Sequence, residues 1–228
     1  MHICGKNGVR YCAVIVLILL VAAPCAFAQG YAKQGFYLGL YLPYNAVGDE
    51  DFDGKSYMTD DNQEVMVLLP EIDSAFGLGL AFGYRFSKAS FEINYLQSSH
   101  DADWSNAGWV ATGDEAELSI FNLDARYYFN TGDAVQPFIY GGINLTTLTA
   151  KDFAADPYSS DDAEFRGAGF NIGGGVAFYL TPQFALTGTV LYRYVKMEDL
   201  DAAGVSGEID HSLNASDVNF MLGTSFTF

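Results

Sequence analysis

The 228-residue chain carries 28 acidic residues against 11 basic ones, for a formal net charge of −17, and half of it is hydrophobic, with 15 Tyr and 18 Phe. So acidic a balance excludes nucleic acid as a partner. A chain this acidic and this aromatic must also place the two kinds of residue in separate zones.

The N-terminus reads as a secretory leader. Lys6 and Arg10 form a positive region, the stretch from Cys12 to Ala23 is apolar but short for a membrane span, and Ala26-Phe27-Ala28 has the small-x-small form of a cleavage site. Pro24 before Cys25 argues against a lipoprotein. The expected organisation is a signal peptide over 1–28 and one domain over 29–228. Cleavage would remove Cys4, Cys12 and Cys25, the only cysteines, and leave 200 residues with a net charge of −19. No later apolar run reaches the 18 residues a membrane helix needs.

Beyond the leader the chain alternates with period two, the signature of strands with unlike faces. The first is GFYLGLYLPY, with Phe36, Leu38, Leu40, Leu42 and Tyr44 opposite Tyr37, Gly39 and Tyr41. In SAFGLGLAFGYRF, Phe76, Leu78, Leu80, Phe82, Tyr84 and Phe86 oppose four small residues and Arg85. SFEINYLQS sets Phe91, Ile93 and Tyr95 against Glu92 and Asn94. The fourth sets Phe121, Leu123, Ala125, Tyr127 and Phe129 against Asn122, Asp124, Arg126 and Tyr128. QPFIYGGINLTT has no decided face. RGAGFNIGGGVAFYL puts Phe170, Ile172, Val176, Phe178 and Leu180 on one side, with Gly173 and Gly175 packing on the other. In the seventh, Phe184, Leu186, Val190, Tyr192 and Tyr194 oppose Thr187, Thr189 and Arg193. The last, VNFMLGTSFTF, runs Val218, Phe220, Leu222, Thr224 and Phe226 to a terminal Phe228.

These eight strands are joined alternately by short and long connections. The long ones cover roughly 45–73, 99–115, 150–165 and 197–214, and they hold 23 of the 28 acidic residues. Acid is therefore expected outside and aromatics in the wall. A bare terminal strand invites pairing with other chains, which closure onto the first strand prevents. The reading is an all-β fold: an eight-stranded antiparallel up-and-down transmembrane β-barrel with short turns on the periplasmic side. A soluble lipocalin-like barrel also has eight strands, but faces rich in Gly, Ala and Asn suit a crowded polar lumen, which rings of Phe and Leu would overfill.

The leader, the eight alternating strands, QPFIYGGI, GGGVAFYL followed by TPQFAL and YRY, and the final aromatic resemble the small outer-membrane β-barrel family of Gram-negative bacteria. That family includes the OmpA membrane domain, OmpX and the short porin-family barrels. The resemblance covers the mature chain. It implies a cell outer membrane location, lipid and lipopolysaccharide as surroundings, insertion by the barrel-assembly machinery through Phe220, Phe226 and Phe228, and no enzymatic activity or cofactor by default. A structural and surface-interaction role as a monomer follows from it, with loops free to meet a host or surface ligand. The alternative is a small-solute or ion pore.

Three constellations carry possible chemistry. Arg85, Glu92, Asp124, Arg126 and Arg193, joined by Arg166, fall on the non-lipid faces, where buried ions must pair. They form either a gated path or a plug, and the narrow interior of eight strands favours the plug. In DEDFDGKSYMTD, Asp49, Asp51, Asp53 and Asp60 stand at positions 1, 3, 5 and 12 of a calcium loop, with Gly54 at the sharp turn but no flanking helices. Some barrels of the family modify lipid A with Ser and His, which makes His100 beside Ser98 and Ser99, and His211 beside Ser212, the candidates here. Each is a dipeptide at a loop edge with no surrounding motif.

Overall fold

The computed structural model describes residues 31–47, 55–60, 63–68, 71–103, 115–156, 159–202 and 205–228. They form strands β1 (Gly35–Val47), β2 (Lys55–Asp60), β3 (Gln63–Leu68), β4 (Glu71–Ile72), β5 (Ala75–Arg85), β6 (Ala89–Asp103), β7 (Glu115–Tyr128), β8 (Val135–Asp156), β9 (Ser159–Tyr179), β10 (Phe184–Ala202) and β11 (Val205–Thr227).

Eight of these close into one antiparallel barrel in the order β1-β5-β6-β7-β8-β9-β10-β11. Closure runs from Tyr37↔Thr227 to Val47↔Asp217, so the last strand returns to the first and no barrel edge is left over that span. The remaining three are accessory: β4 pairs with the far end of β6, and β2 with β3 makes a separate hairpin.

Alternation sorts the side chains as the eight sequence patterns require. Phe76, Leu80, Ile143 and Leu222 all stand more than half exposed on the outer wall, while their neighbours along each strand turn inward. β8, undecided by sequence, presents Ile139, Ile143 and Leu145 outward and Phe138, Tyr140, Asn144 and Thr146 inward. Aromatic rings cluster at the short-turn end, where Phe36 stacks near Phe82 and Tyr84, and Phe226 meets Phe228 edge to face at 5.5 Å. A second set, including Tyr44, Phe76, Phe170 and Tyr194, marks the other edge. An apolar band between two aromatic girdles is the outer surface of a membrane barrel.

The short turns are held by local bonds. Asn130 adopts a left-handed φ of 51°, which Asn tolerates, and its carbonyl accepts from Asp133 N at 3.0 Å. Thr181 Oγ1 accepts from Phe184 N at 3.0 Å.

Two of the segments expected as long loops are instead strand. β8 and β9 stay paired out to Asp156↔Ser159, and β10 and β11 out to Ala202↔Val205. The cause is an inverted pattern. Beyond the girdle the outer face meets water, so Asp162, Glu164 and Arg166 point out while Ala163 and Phe165 point in. A search for apolar outer faces passes over such strands.

The interior is accordingly layered. Next to the turns and through the middle it is polar. Towards the far end Leu118, Leu148 and Phe165 share one level, and Ala116, Ala150 and Ala163 share the next, all at most 2% exposed. Two of the three consecutive glycines, Gly173 and Gly175, face inward against β10, whereas Gly174 faces out beside Ile139.

Gly142 shows how tightly this interior is filled. A Cβ there would strike the Asp124 carboxylate and the Leu123 carbonyl. Gly142→Val is expected to lower unfolding stability in lipid vesicles by about 1–3 kcal/mol; an unchanged urea midpoint would mean that the wall has slack there.

Candidate functional site

Glu92 sits at the centre of the lumen, 1% exposed. Its carboxylate accepts hydrogen bonds from Tyr41 Oη at 2.6 Å, Tyr37 Oη at 2.8 Å, Asn94 Nδ2 at 3.1 Å and Arg126 Nη2 at 2.8 Å. Arg126, equally buried, also donates to Tyr41 Oη at 2.8 Å and lies over the Phe138 ring. Strand pairing positions the two charges, since Glu92 stands opposite Asp124 and Arg126 lies one inward position along β7.

Asp124 accepts from Asn94 at 2.8 Å and from Asn171 at 3.3 Å. A chain of amides continues round the barrel, from Asn122 to Asn94 at 2.6 Å, Asn171 to Asn122 at 2.8 Å and Asn144 to Asn171 at 2.9 Å, with Thr146 donating to Asn144 at 3.0 Å. Each of these four amides both donates and accepts, so the chain holds together across β6 to β9 without solvent.

Towards the turns, Arg85 donates to Tyr179 Oη at 2.7 Å and to Gln136 Oε1, with Tyr128 beneath its guanidinium at 3.4 Å. Towards the far end, Arg193 pairs with Asp217 at 3.3 Å, and Asn219 donates to the same carboxylate at 2.8 Å. The lumen thus holds three guanidinium groups and three carboxylates among the described residues. Their charges cancel.

All five lumen residues singled out by sequence, Arg85, Glu92, Asp124, Arg126 and Arg193, lie inside. Arg166 does not. It stands on the outer wall, its side chain 55% exposed, and bonds Glu164 at 2.8 Å. Sequence reasoning missed Asp217 because the terminal strand was traced only from Val218. Extending its alternation one residue upstream places Asp217 in line with Asn219 and Met221. The tyrosines Tyr37, Tyr41 and Tyr179 were also missed, since Tyr suits either face.

The other candidates are dispersed. Ser98 Oγ lies 2.7 Å from His100 Nε2, and His100 Nδ1 lies 2.6 Å from the Asp73 carbonyl. A carbonyl accepts only, so Nδ1 carries the proton and Ser98 donates to Nε2; Asn45 Nδ2 in turn donates to Ser98 at 2.8 Å. With Asp73 N bonded to Asp101 O at 2.9 Å, these contacts fasten β4 to the rim. Ser99 points outward. His211 and Ser212 belong to β11, but their side chains are not described. Asp49, Asp51 and Asp53 lie outside the described residues, and Asp60 ends β2 opposite Gln63. Phe226 and Phe228 face outward, with Phe228 N bonded to Phe36 O at 2.9 Å; Phe220 is half-buried opposite Tyr44.

Above the apolar band the outer wall carries ion pairs. Lys151 bonds Asp162 at 3.2 Å, and Lys196 bonds Glu198. The hydrogen bond to Asp162 raises the Lys151 pKa, and that from Arg166 lowers the Glu164 pKa, so these groups are charged at neutral pH.

A closed barrel with an apolar exterior, aromatic edges and a polar packed interior defines an outer-membrane β-barrel. The chain belongs to the family described as the outer membrane protein beta-barrel domain, whose model matches residues 13–226, and its place is the Gram-negative outer membrane. Among solved structures it is similar to Neisserial surface protein A, at 17% identity over 85% of this chain and 97% of that one, with a TM-score of 0.54. The outer membrane protein OprG from Pseudomonas aeruginosa gives 19%, 89%, 99% and 0.54. A major outer membrane protein from Thermus thermophilus gives 13%, 86%, 100% and 0.50. At these identities the likeness is one of fold. No curated protein matches the chain.

Removing one partner of the central pair strands a buried charge. Glu92→Gln is expected to cost about 3–5 kcal/mol of unfolding stability, and adding Arg126→Met to recover most of it. Additive losses in that double-mutant cycle would show that the two charges act independently.

Proposed function

We propose that this protein is a sealed barrel with a structural and surface-interaction role: it stiffens the outer membrane and presents an acidic outer rim to cations, lipopolysaccharide or a surface ligand. One observation carries the reading. From Arg85 through Glu92, Arg126 and the chain of amides to the apolar level of Leu118, Leu148 and Phe165, the described inward side chains bond or pack against one another, with Arg85 Nε, Arg126 Nε, Arg193 Nε and Asp217 Oδ1 left without a protein partner. Desolvated ions held by four partners, as Glu92 is, do not yield to a passing solute without a large cost. In this reading Ser98 and His100 serve as a fastening for β4 rather than as catalytic groups.

A second reading, passage of a small solute, draws on the alanines at the far end of the lumen, where short side chains widen the bore. Planar-bilayer recordings separate the two: the sealed barrel is expected to give no large, stable open steps, and such steps would overturn it.

We further propose cleavage after Ala28, and Phe228, flanked by Phe220 and Phe226, as the recognition point for the assembly machinery. Deleting Phe228 is expected to reduce heat-modifiable protein in the outer membrane severalfold, far more than changes in the rim; normal surface levels would refute this role. Calcium binding by Asp49, Asp51, Asp53 and Asp60 is a subsidiary proposal, refuted if calorimetric titration of the folded barrel gives no heat at millimolar calcium.

A further inference from the structure

We infer that His100 is an acid-sensitive latch: neutral, it fastens β4 to the rim of the barrel, and protonated, it lets β4 go. The inference adds a regulation to the proposed surface-interacting barrel and rests on that reading only for the use of the latch.

The fastening is a one-way chain of hydrogen bonds. Asn45 Nδ2 donates to Ser98 Oγ at 2.8 Å, Ser98 donates to His100 Nε2 at 2.7 Å, and His100 Nδ1 donates to the Asp73 carbonyl at 2.6 Å. Asp73 directly follows β4, and its own N–H bonds Asp101 O at 2.9 Å, so β6 grips this residue twice. The strand pairing of β4 is short: it meets β6 only at Glu71↔Asp103 and Ile72↔Ala102. Each bond of the chain runs in the same direction, and that direction requires a lone pair on Nε2.

Protonation removes that lone pair. Nε2 becomes a second donor aimed at Ser98 Oγ, which Asn45 Nδ2 already faces, and the Ser98 hydroxyl proton loses its acceptor. Asn45 Oδ1 has no partner, but it lies on the other arm of the amide. The new charge is also buried, since His100 is 2% exposed.

The charged groups around the ring act in opposite directions. Asp217 on β11 favours the imidazolium, whereas Arg193 on β10 opposes it and is paired with that same carboxylate at 3.3 Å. Asp101, on the same strand as His100, favours it from the solvent side. β1 contributes the neutral Asn45 through Ser98, and β7 places Ala116 opposite.

This end of β6 stands in water, since its outward residues Ser99 and Asp101 are polar and exposed. Burial lowers the His100 pKa from its ordinary value of 6.5, against the bond to the Asp73 carbonyl and the Asp217 charge, which raise it. The fastened rim therefore binds fewer protons than the open one. Its fastening is fully present above that ordinary value and is lost as the pH falls below it. A charged imidazole gains by turning out to water, and the bond to Asp73 goes with it.

The test measures amide hydrogen exchange at Asp73 in the full folded barrel in nanodiscs, at about pH 7.5 and about pH 5, with exchange times scaled to the intrinsic rate. The wild type is expected to lose about tenfold in protection at the lower pH. Ser98→Ala is expected to move the midpoint of that loss to higher pH, because it removes a hydrogen bond that only the neutral ring accepts. His100→Asn, whose amide does not titrate, is expected to give one level of protection at both pH values. Unchanged protection of the wild type across this range would overturn the inference. So would an equal loss in His100→Asn, which would assign the effect to the carboxylates of the rim. Conductance of the same samples reports separately on whether the barrel is sealed.

Discussion

Glu92 and Arg126 face each other 2.8 Å apart inside a tube too narrow to keep either hydrated. In water such a pair contributes little; buried, each charge is tolerable only while the other is present and its remaining bonding positions are filled. Tyr37, Tyr41 and Asn94 fill those of Glu92, and Tyr41 also accepts from Arg126, whose Nε has no hydrogen-bond partner. Because those residues come from β1 and β6, and Arg126 from β7, the pair also ties the closing side of the barrel to strands across the lumen. Neutral totals extend the same constraint. Three guanidinium groups balance three carboxylates in number: Arg126 pairs with Glu92 and Arg193 with Asp217, Arg85 is held by Tyr179 and Gln136, and the amides of Asn94 and Asn171 bond Asp124.

The two ends of the barrel answer to different solvents. Within the bilayer the exterior must be apolar, so polarity collects inside. Beyond the far girdle water surrounds the strands, the polarity inverts, and the described parts of β8 to β10 carry charge outside and alanine, leucine, phenylalanine and methionine inside. This inversion lets the wall continue beyond the membrane with an apolar inner face, as in a water-soluble sheet.

Much of the fold was legible in the sequence because period-two alternation survives wherever one face meets lipid. Phe76 to Phe86 and Phe121 to Phe129 needed no further signal. Legibility failed at two kinds of place. The outer part of β9 alternates too, as Asp162-Ala163-Glu164-Phe165-Arg166 does, but with the polarity of a water-soluble sheet. Arg166 fell on the wrong side of the wall for the same reason: it shares the phase of Phe170, but beyond the girdle that face meets water and takes the charge that was expected in the lumen. Most of the interior charges were legible but not their partners, since which carboxylate meets which guanidinium depends on the register between strands; Asp217, opposite Arg193, was itself missed.

In the proposed sealed barrel, packed side chains close the lumen to water-borne solutes along its length. The leader is expected to remove every natural cysteine, which allows a clean accessibility test with single cysteines placed at Ser90 and Thr189, both at most 5% exposed inside the barrel, and at Ser87, exposed in a short turn. In folded, bilayer-reconstituted protein a small charged thiol reagent is expected to modify the cysteine at position 87 within minutes and to leave those at 90 and 189 unmodified until the barrel is unfolded. Comparable modification at all three positions would contradict a sealed lumen.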